Sequence, residues 1–267
     1  LIRLAGQDFR NLQPFSLNTD APFVVLHGEN AQGKTNTLEA VVFLMTLKPL
    51  RGHKSRDLIQ FGKDGFQLAG SIQTAHRRDY KVGLDTTGRT LSVDSAPISD
   101  LTEYFSGLSC IAFTPSDGDI VLGEPSRRRR WLDRAAFTVS VVHLEVARTY
   151  RRCLQQKSAA LKMSAVDTSL LDVLDEQLAQ AGAQLSQRRA HVLGALSSHV
   201  ADAHQEISGG SVNVGLRYRT HAAGDTPLER ADSLRERLAE KRPMERQRRM
   251  ALVGPQSDDV EILLNGK

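Results

Sequence analysis

Cysteine is scarce in this sequence, and the few that occur form no recognisable metal or redox motif. The two cysteines, Cys110 and Cys153, lie far apart and make no CxxC pair. A disulfide framework needs several cysteines, and a structural zinc site needs clustered ones. This sparse use of cysteine indicates a reducing, cytoplasmic compartment.

Long hydrophobic runs and aromatic residues are also in short supply. No apolar stretch approaches the roughly 20 residues that a membrane-spanning helix requires. The first residues are too polar for a secretory signal, so we expect no membrane partner. Aromatic residues make up 5% of the chain, which argues against an aromatic platform for stacking single-stranded bases.

Neither sign of charge dominates the chain. It has 35 Lys and Arg against 31 Asp and Glu, a formal net charge of +4. This mild excess permits a nucleic-acid partner without requiring one. The length of 267 residues and the 40% hydrophobic content suit one or two globular domains with a substantial core.

Strand and helix signals alternate in the first part of the chain. The run 23–27 is apolar and β-branched, which predicts a buried parallel strand. Segments 65–74, 78–85 and 90–93 are typical of strands joined by turns. Between them, four apolar residues at helical spacing predict the buried face of a helix that starts near residue 35. These residues are Leu38, Val41, Val42 and Met45.

Helical character dominates after Pro125, where Ser126 is a candidate N-cap. A repeat of apolar residues predicts one face of a long helix that ends at Gly209. The repeat consists of Leu170, Leu171, Leu174, Leu178, Ala181 and Leu185. Two strand-like segments, 211–219 and 260–264, flank a charged helix near residues 228–241. We therefore predict a helical domain followed by a mixed segment.

A phosphate-binding loop is the most specific motif in the sequence. The pattern G-x-x-x-x-G-K-[ST] is matched by Gly28, Glu29, Asn30, Ala31, Gln32, Gly33, Lys34 and Thr35. Backbone N–H groups of such a loop cradle phosphates, and the following helix N-terminus adds positive potential. Lys34 is expected to reach the β- and γ-phosphates of ATP, and the Thr35 hydroxyl to bind Mg²⁺.

Four stretches resemble the RecF family, which is related to the SMC and ABC ATPases. The first is Phe9-Arg10-Asn11-Leu12, and the second is the phosphate-binding loop with the Asn36 and Leu38-Glu39-Ala40 that follow it. The third is residues 113–133. The fourth is residues 254–266, which include Gly254-Pro255 and Asp258-Asp259. The resemblance implies an α/β fold, a P-loop (ABC/SMC-like) ATPase lobe with an inserted all-helical second lobe. Residues 1–124 would be the N-terminal part of the ATPase lobe, 125–207 the helical lobe, and 208–267 a segment returning to the first lobe.

The chain also departs from the family pattern. Gln256-Ser257 stand where the family usually has His-Arg, and Pro115-Ser116-Asp117-Gly118 lacks the usual Glu and Leu around its aspartate. We find neither an ABC signature nor a Walker B strand, and Asp258-Asp259 follows no buried apolar strand. The chain therefore resembles a truncated RecF, which we expect to hydrolyse no ATP by itself, whereas the complete protein would be a weak ATPase.

Several arginines are secondary candidates for ligand contacts. Arg10 is expected either to reach the nucleotide, as in the family, or to be an ordinary surface residue. Arg127 and Arg128 either bind DNA phosphates or, as we favour, brace the lobe junction through carboxylates. The basic cluster of Arg246, Arg248 and Arg249 is a further candidate for DNA phosphates.

The resemblance further implies ATP-dependent binding of duplex DNA near gaps or junctions in recombinational repair and replication. The family's partners RecR and RecO, and an ATP-dependent homodimer that reopens after hydrolysis, are implied in the same way. Two other functions remain open. One is a different SMC-like or ABC-like ATPase subunit, and the other is a non-catalytic nucleotide-binding or DNA-binding remnant.

Overall fold

The computed structural model describes residues 1–52, 54–163 and 167–266. Within them the chain divides into two compact units, Leu1–Phe113 and Thr114–Lys267. None of the helices in these ranges combines the length and apolarity needed to span a bilayer. The division into 1–124, 125–207 and 208–267 stays a prediction, and in the structure residues 208–266 fall in the second unit.

A six-stranded antiparallel sheet forms the framework of the first unit, in the order β2-β1-β3-β4-β5-β6. Its strands are β1 Arg3–Gln7, β2 Phe15–Asn18, β3 Phe66–Gln73, β4 Arg77–Leu84, β5 Arg89–Val93 and β6 Ala96–Pro97. The hairpin between β4 and β5 is held by Asp85, whose carboxylate accepts from the backbone N–H groups of Thr87 and Gly88. The three predicted strands 65–74, 78–85 and 90–93 are thus confirmed as β3, β4 and β5.

Helix α1, Lys34–Thr46, packs against β3 and β4. Ala40, Phe43 and Leu44 are fully buried on its sheet-facing side. The ring of Phe43 meets that of Phe66 edge to face, with centroids 5.5 Å apart. At Gly70 a Cβ would come within 2.9 Å of the Arg3 carbonyl oxygen, so this position has no room for a side chain.

Two predictions for the first unit are wrong in the structure. The run 23–27 lies in the described part of the chain, yet none of its residues belongs to a strand, and the Phe23 side chain is 80% exposed. A parallel strand needs a hydrogen-bonding neighbour, and no described strand pairs with this run. The buried face of α1 also differs from the predicted one. Leu38 is exposed, and Ala40, Phe43 and Leu44 are buried instead, because the sheet covers that side.

The second unit is mainly helical. The short helix α2, Leu101–Phe105, still belongs to the first unit. The second unit contains α3 Asp119–Leu122, α4 Pro125–Val139, α5 Val142–Ala160, α6 Thr168–Ser208 and α7 Pro227–Arg248. The strands β7 Val214–Arg219 and β8 Asp259–Leu264 form an antiparallel pair. Helix α6 ends as predicted, because Gly209 adopts a left-handed conformation with φ of 69°.

Three details of the helical predictions need correction. Ser126 is not the N-cap of α4, because Pro125 takes the first helical position and Glu124 precedes it as the cap residue. Leu170 is 41% exposed, so the buried face of α6 starts at Leu171 instead. Helix α7 also extends beyond the predicted residue 241, through Pro243 to Arg248.

Helix α6 contributes to three separate apolar clusters of the second unit. Leu171 and Leu174 lie in the first cluster, Leu178 and Leu185 in the second, and Val192 in the third. The middle cluster also receives Tyr150 from α5 and Leu234 from α7. One long helix is therefore the common wall of the whole unit.

A buried charged cluster joins three helices of the same unit. Lys157 of α5 is 1% exposed, and its Nζ lies 2.6 Å from both Asp175 of α6 and Glu245 of α7. Arg242 pairs with the second oxygen of Asp175 at 2.7 Å. Glu245 also accepts the backbone N–H of Leu252 at 2.7 Å. The cluster supplies each buried carboxylate with a cation or an N–H donor.

Candidate phosphate-binding site

The loop 28–35 has the backbone of a concave turn that leads into a helix. Gly28 and Gly33 have φ values of 136° and 91°, and Ala31 has 66°. These values lie in the region that glycine adopts without strain and other residues rarely do. Helix α1 begins at Lys34, directly after Gly33. The free N–H groups of its first turn therefore open into the loop, as an anion site requires.

Lys34 lies across the mouth of this loop. Its Nζ donates to the carbonyl oxygens of Gly28 at 2.7 Å and Glu29 at 2.6 Å. These carbonyls belong to the same loop, so the ammonium group is tied to the loop backbone, and Lys34 lines the cavity at the loop. A phosphate entering the loop would meet the lysine already in place.

Two adjoining cavities lie at the loop and beside it. The cavity at the loop has a volume of about 260 Å³ and is lined by Asn11, Asn30, Ala31, Gln32, Gly33, Lys34, Thr35, Asn36 and Arg51. The larger, of about 540 Å³, is lined by Arg10, Asn11, Asn36, Arg51, Gly52, Asp57 and Ile59. They share Asn11, Asn36 and Arg51, so a ligand with a compact anionic part and a bulkier part could occupy both.

Arg10 lies beside the larger cavity and is bound to a buried carboxylate. Its Nε is 2.9 Å from Glu39, a side chain with no exposed surface, and its Nη1 donates to the Asp57 carbonyl at 2.8 Å. Burial alone would raise the pKa of Glu39, but the hydrogen bonds from Arg10 and Arg51 outweigh it and lower the pKa. Glu39 is therefore ionised at neutral pH.

Glu39 and Arg51 are the site residues that our sequence reasoning did not single out for a role. The signal for Glu39 was available: it is an acidic residue four positions before Phe43, on the apolar side of α1. A buried acid needs a partner, and Arg51 is one of the two cations that supply it. No pattern in the sequence placed Arg51 there.

The arginines at the start of α4 are bound to carboxyl and carbonyl groups of the second unit. Arg128 forms a two-pronged ion pair with Asp259, at 2.7 and 3.0 Å, which raises the pKa of its guanidinium. Arg127 lies 3.1 Å from Asp119, and Arg129 donates to the Asp258 carbonyl at 2.7 Å. Arg128 is thus paired with a carboxylate of its own unit, and its role at the lobe junction stays a prediction.

Arg246, Arg248 and Arg249 lie at the end of α7 and differ from the arginines of α4. All three are exposed, and within the described part of the chain they form no ion pair. Their guanidinium groups are thus open to an external anion such as a DNA phosphate.

Comparisons with known proteins identify the family. The chain is 36% identical to the DNA replication and repair protein RecF of Geobacter sulfurreducens, over 99% of this chain and 73% of that protein. It is also 36% identical to RecF of Myxococcus xanthus, over 100% of this chain and 72% of that protein. The chain belongs to the RecF family. No family model matches the chain.

Solved structures agree with this RecF assignment. The recombination mediator RecF in its ATP form matches with a TM-score of 0.93 and 26% identity, covering 99% of this chain and 73% of that one. A structure described as RecF-ATPrS in the RecFOR pathway matches with the same TM-score, covering 100% of this chain and 74% of the other. The predicted fold class, an α/β P-loop ATPase lobe with an inserted helical lobe, is confirmed.

The two departures from the RecF sequence pattern lie in well-formed local structure. Gln256 accepts a hydrogen bond from the Tyr150 hydroxyl, and its own amide donates to the Val253 carbonyl at 3.0 Å. Asp117 ends the Thr114 capping box, accepting from the Thr114 backbone N–H at 2.6 Å. Both segments that depart from the RecF pattern thus form hydrogen bonds within the second unit.

Proposed function

We propose that this chain binds the triphosphate of ATP in the loop 28–35 as part of an ATP-dependent DNA-repair protein. The observation that carries the proposal is the loop itself: positive φ at Gly28 and Gly33, and Lys34 at the start of α1 donating to the Gly28 carbonyl. Membership of the RecF family and the likeness to RecF-ATP support the same ligand.

Magnesium is the cofactor that we propose alongside ATP. Thr35 lines the loop cavity and supplies a hydroxyl oxygen, a ligand type that suits Mg²⁺. No Asp or Glu is among the described residues that line this cavity, so phosphate oxygens and water would complete the shell. Mg²⁺ would supply charge neutralisation of the phosphates when bound. These residues therefore support the binding of Mg·ATP.

DNA is the macromolecular partner that we propose. The exposed cluster of Arg246, Arg248 and Arg249 is better suited to DNA phosphates than Arg127 and Arg128, which already pair with carboxylates. RecO and RecR, an ATP-dependent homodimer and a preference for gapped duplex DNA are proposed from the family. ATP bound between subunits would act as a switch, provided it binds the closed state more tightly than the open one.

Equilibrium ATP binding by the Lys34→Ala variant tests the proposal. Charge-assisted hydrogen bonds to phosphate are strong, so we expect the variant to bind Mg·ATP roughly ten- to a hundredfold more weakly than the parent. ATP-dependent retention of duplex DNA should fall with it. Lys81→Ala is the matched control, because Lys81 is an exposed lysine of β4 that lines neither cavity. Equal ATP affinity in the parent and the Lys34 variant would contradict the proposal.

A further inference from the structure

Helix α5 has a buried side and an exposed side of very different composition. Its buried residues are His143, Tyr150, Cys153, Lys157 and Ala160. Its exposed positions from 148 onwards are Arg148, Thr149, Arg151, Arg152, Gln155, Gln156 and Ala159. Most of them recur at intervals of three or four residues, so they lie on one side of the helix. We call these exposed residues the α5 basic face.

No acidic residue of the surrounding sequence offsets the charge of this face. Residues 146–166 contain no Asp or Glu. Arg148 pairs with the exposed Glu145 at 2.6 Å, one turn earlier on the helix. Arg151, Arg152 and the exposed Lys162 just after the helix form no ion pair with any residue that the structure describes. Their positive charges are therefore available to an external anion.

The exposed side of α7 shows how a mixed helix surface differs. Asp232, Glu236 and Glu240 are exposed there beside Arg237. Lys241 donates to Glu240 at 2.6 Å, and this bond, with a smaller effect from the charge of Arg237, lowers the pKa of Glu240. The cations on this side of α7 are thus balanced by neighbouring acids, whereas Arg151 and Arg152 are not.

The α5 basic face lies near the other exposed arginines of the second unit. Nζ of Lys157 in α5 is 2.6 Å from Glu245 in α7, so the C-terminal part of α5 lies beside the end of α7. That end carries Arg246, Arg248 and Arg249. Along α5 itself, Arg152 and Lys162 are about 15 Å apart, whereas each strand of duplex DNA has a phosphate roughly every 3.4 Å of its axis. One duplex is therefore long enough to contact several of these cations.

The side chains of the face suit phosphates better than a protein partner. Between residues 148 and 159 no large apolar side chain is exposed. Protein interfaces usually need apolar or aromatic anchors at their centre. Gln155, Gln156 and Thr149 instead add neutral hydrogen-bond donors beside the arginines, and such side chains are common in contacts with the DNA backbone.

We infer that the α5 basic face is a second binding surface for the phosphates of duplex DNA, used together with Arg246, Arg248 and Arg249. The inference rests on the proposed function and adds a surface to it. Phosphate contacts position a duplex without reading its bases. Binding through this face should therefore depend strongly on salt concentration and little on DNA sequence.

The salt dependence of duplex binding tests this inference. Fluorescence anisotropy of a labelled duplex, with Mg·ATP present, gives the affinity at several salt concentrations. We expect Arg151→Gln/Arg152→Gln to weaken binding roughly ten- to a hundredfold at low salt and to reduce the slope of log K against log salt by up to about 1.8. Arg151→Lys/Arg152→Lys should retain most of the slope, because lysine also neutralises a phosphate.

A matched variant separates the face from the total charge of the protein. Arg237→Gln/Lys241→Gln removes the same charge from the mixed side of α7, and we expect it to change the slope little. An equal loss in both double variants would show that overall charge is responsible and would overturn the inference. Arg151 and Arg152 are exposed, so the urea midpoint of their variants should stay close to that of the parent.

The outcomes also separate this inference from the proposed function. If the parent and Arg151→Gln/Arg152→Gln bind the duplex equally and only the Arg246, Arg248 and Arg249 substitutions weaken binding, the α5 inference is wrong and DNA remains the proposed partner. A loss of affinity with an unchanged salt slope would mean that the arginines do not contact phosphates, which also overturns the inference. If the parent retains no duplex in the presence of Mg·ATP, both proposals fail.

Discussion

Two wholly buried glutamates, one in each unit, are neutralised in different ways. Glu39 in the first unit is paired with Arg10 and with Arg51, whose side chain is 49% exposed. Glu245 in the second unit is paired with Lys157, which is 1% exposed. Both acids have no exposed surface, so the contrast lies in the cations.

The exposure of the cation decides what each pair can do. Lys157 is enclosed between α5, α6 and α7, so it can only hold these helices together. Arg51 faces a cavity and can add an external anion to its existing contacts. Buried ion pairs stabilise little relative to apolar side chains, yet removing one partner is costly. Similar buried acids are thus neutralised by an enclosed cation in one unit and by partly exposed cations in the other.

Removing the enclosed cation should have the largest effect on stability. Lys157→Met leaves Glu245 without its counter-charge and Asp175 with Arg242 alone, so we expect a loss of about 3–5 kcal/mol. Urea unfolding followed by far-UV circular dichroism measures it. Arg148→Ala, which breaks an exposed pair with Glu145, is the control and should leave the midpoint nearly unchanged. A small effect for Lys157→Met would mean that the enclosed cluster adds nothing to the second unit.

Neutralising Glu39 should have a smaller effect on stability, and this effect should depend on pH. Hydrogen bonds to charged groups contribute roughly 1.5–3 kcal/mol each, so Glu39→Gln should cost about that much at neutral pH. The pKa of Glu39 is lower in the folded state, so its contribution is present above the unfolded value, roughly 4.3, and is lost as pH falls through the folded value.

The difference in stability between the parent and Glu39→Gln should therefore become smaller at acidic pH. Unfolding midpoints measured between pH 7 and pH 3 give the difference directly, with Glu103→Gln as a control because Glu103 is an exposed acid of the same unit. A difference that stays constant over this range would show that the ionised carboxylate is not what stabilises the first unit.

Replacing exposed arginines should weaken DNA binding and leave the stability of the protein nearly unchanged. Replacing Arg246, Arg248 and Arg249 together with Gln should lower duplex affinity and reduce the slope of log K against log salt by roughly 0.9 for each DNA phosphate that is no longer neutralised. Arg128→Gln is the contrasting variant, because Arg128 is bound to Asp259; it should reduce stability and leave the slope unchanged. The opposite result would exchange the roles that we propose for the two clusters.

Features that depend on adjacent residues were predicted from the sequence more accurately than features that depend on tertiary packing. The phosphate loop, the antiparallel strands and the Gly209 helix end all follow from residues that are adjacent in the chain. The strand at 23–27 did not form, and the buried side of α1 was offset, because both depend on what packs against them. The pairing of Glu39 with Arg51 could not be predicted for the same reason, since no periodicity links a helix to the segment after it.

The length of α6 has a consequence for how the second unit opens. Its 41 residues extend for about 60 Å and line all three apolar clusters, from Leu171 to Val192. Disrupting any one cluster would expose part of this helix and remove packing contacts from the adjoining clusters. Amide protons along the buried stretch should therefore exchange with solvent at a common rate, set by a single cooperative opening of the unit.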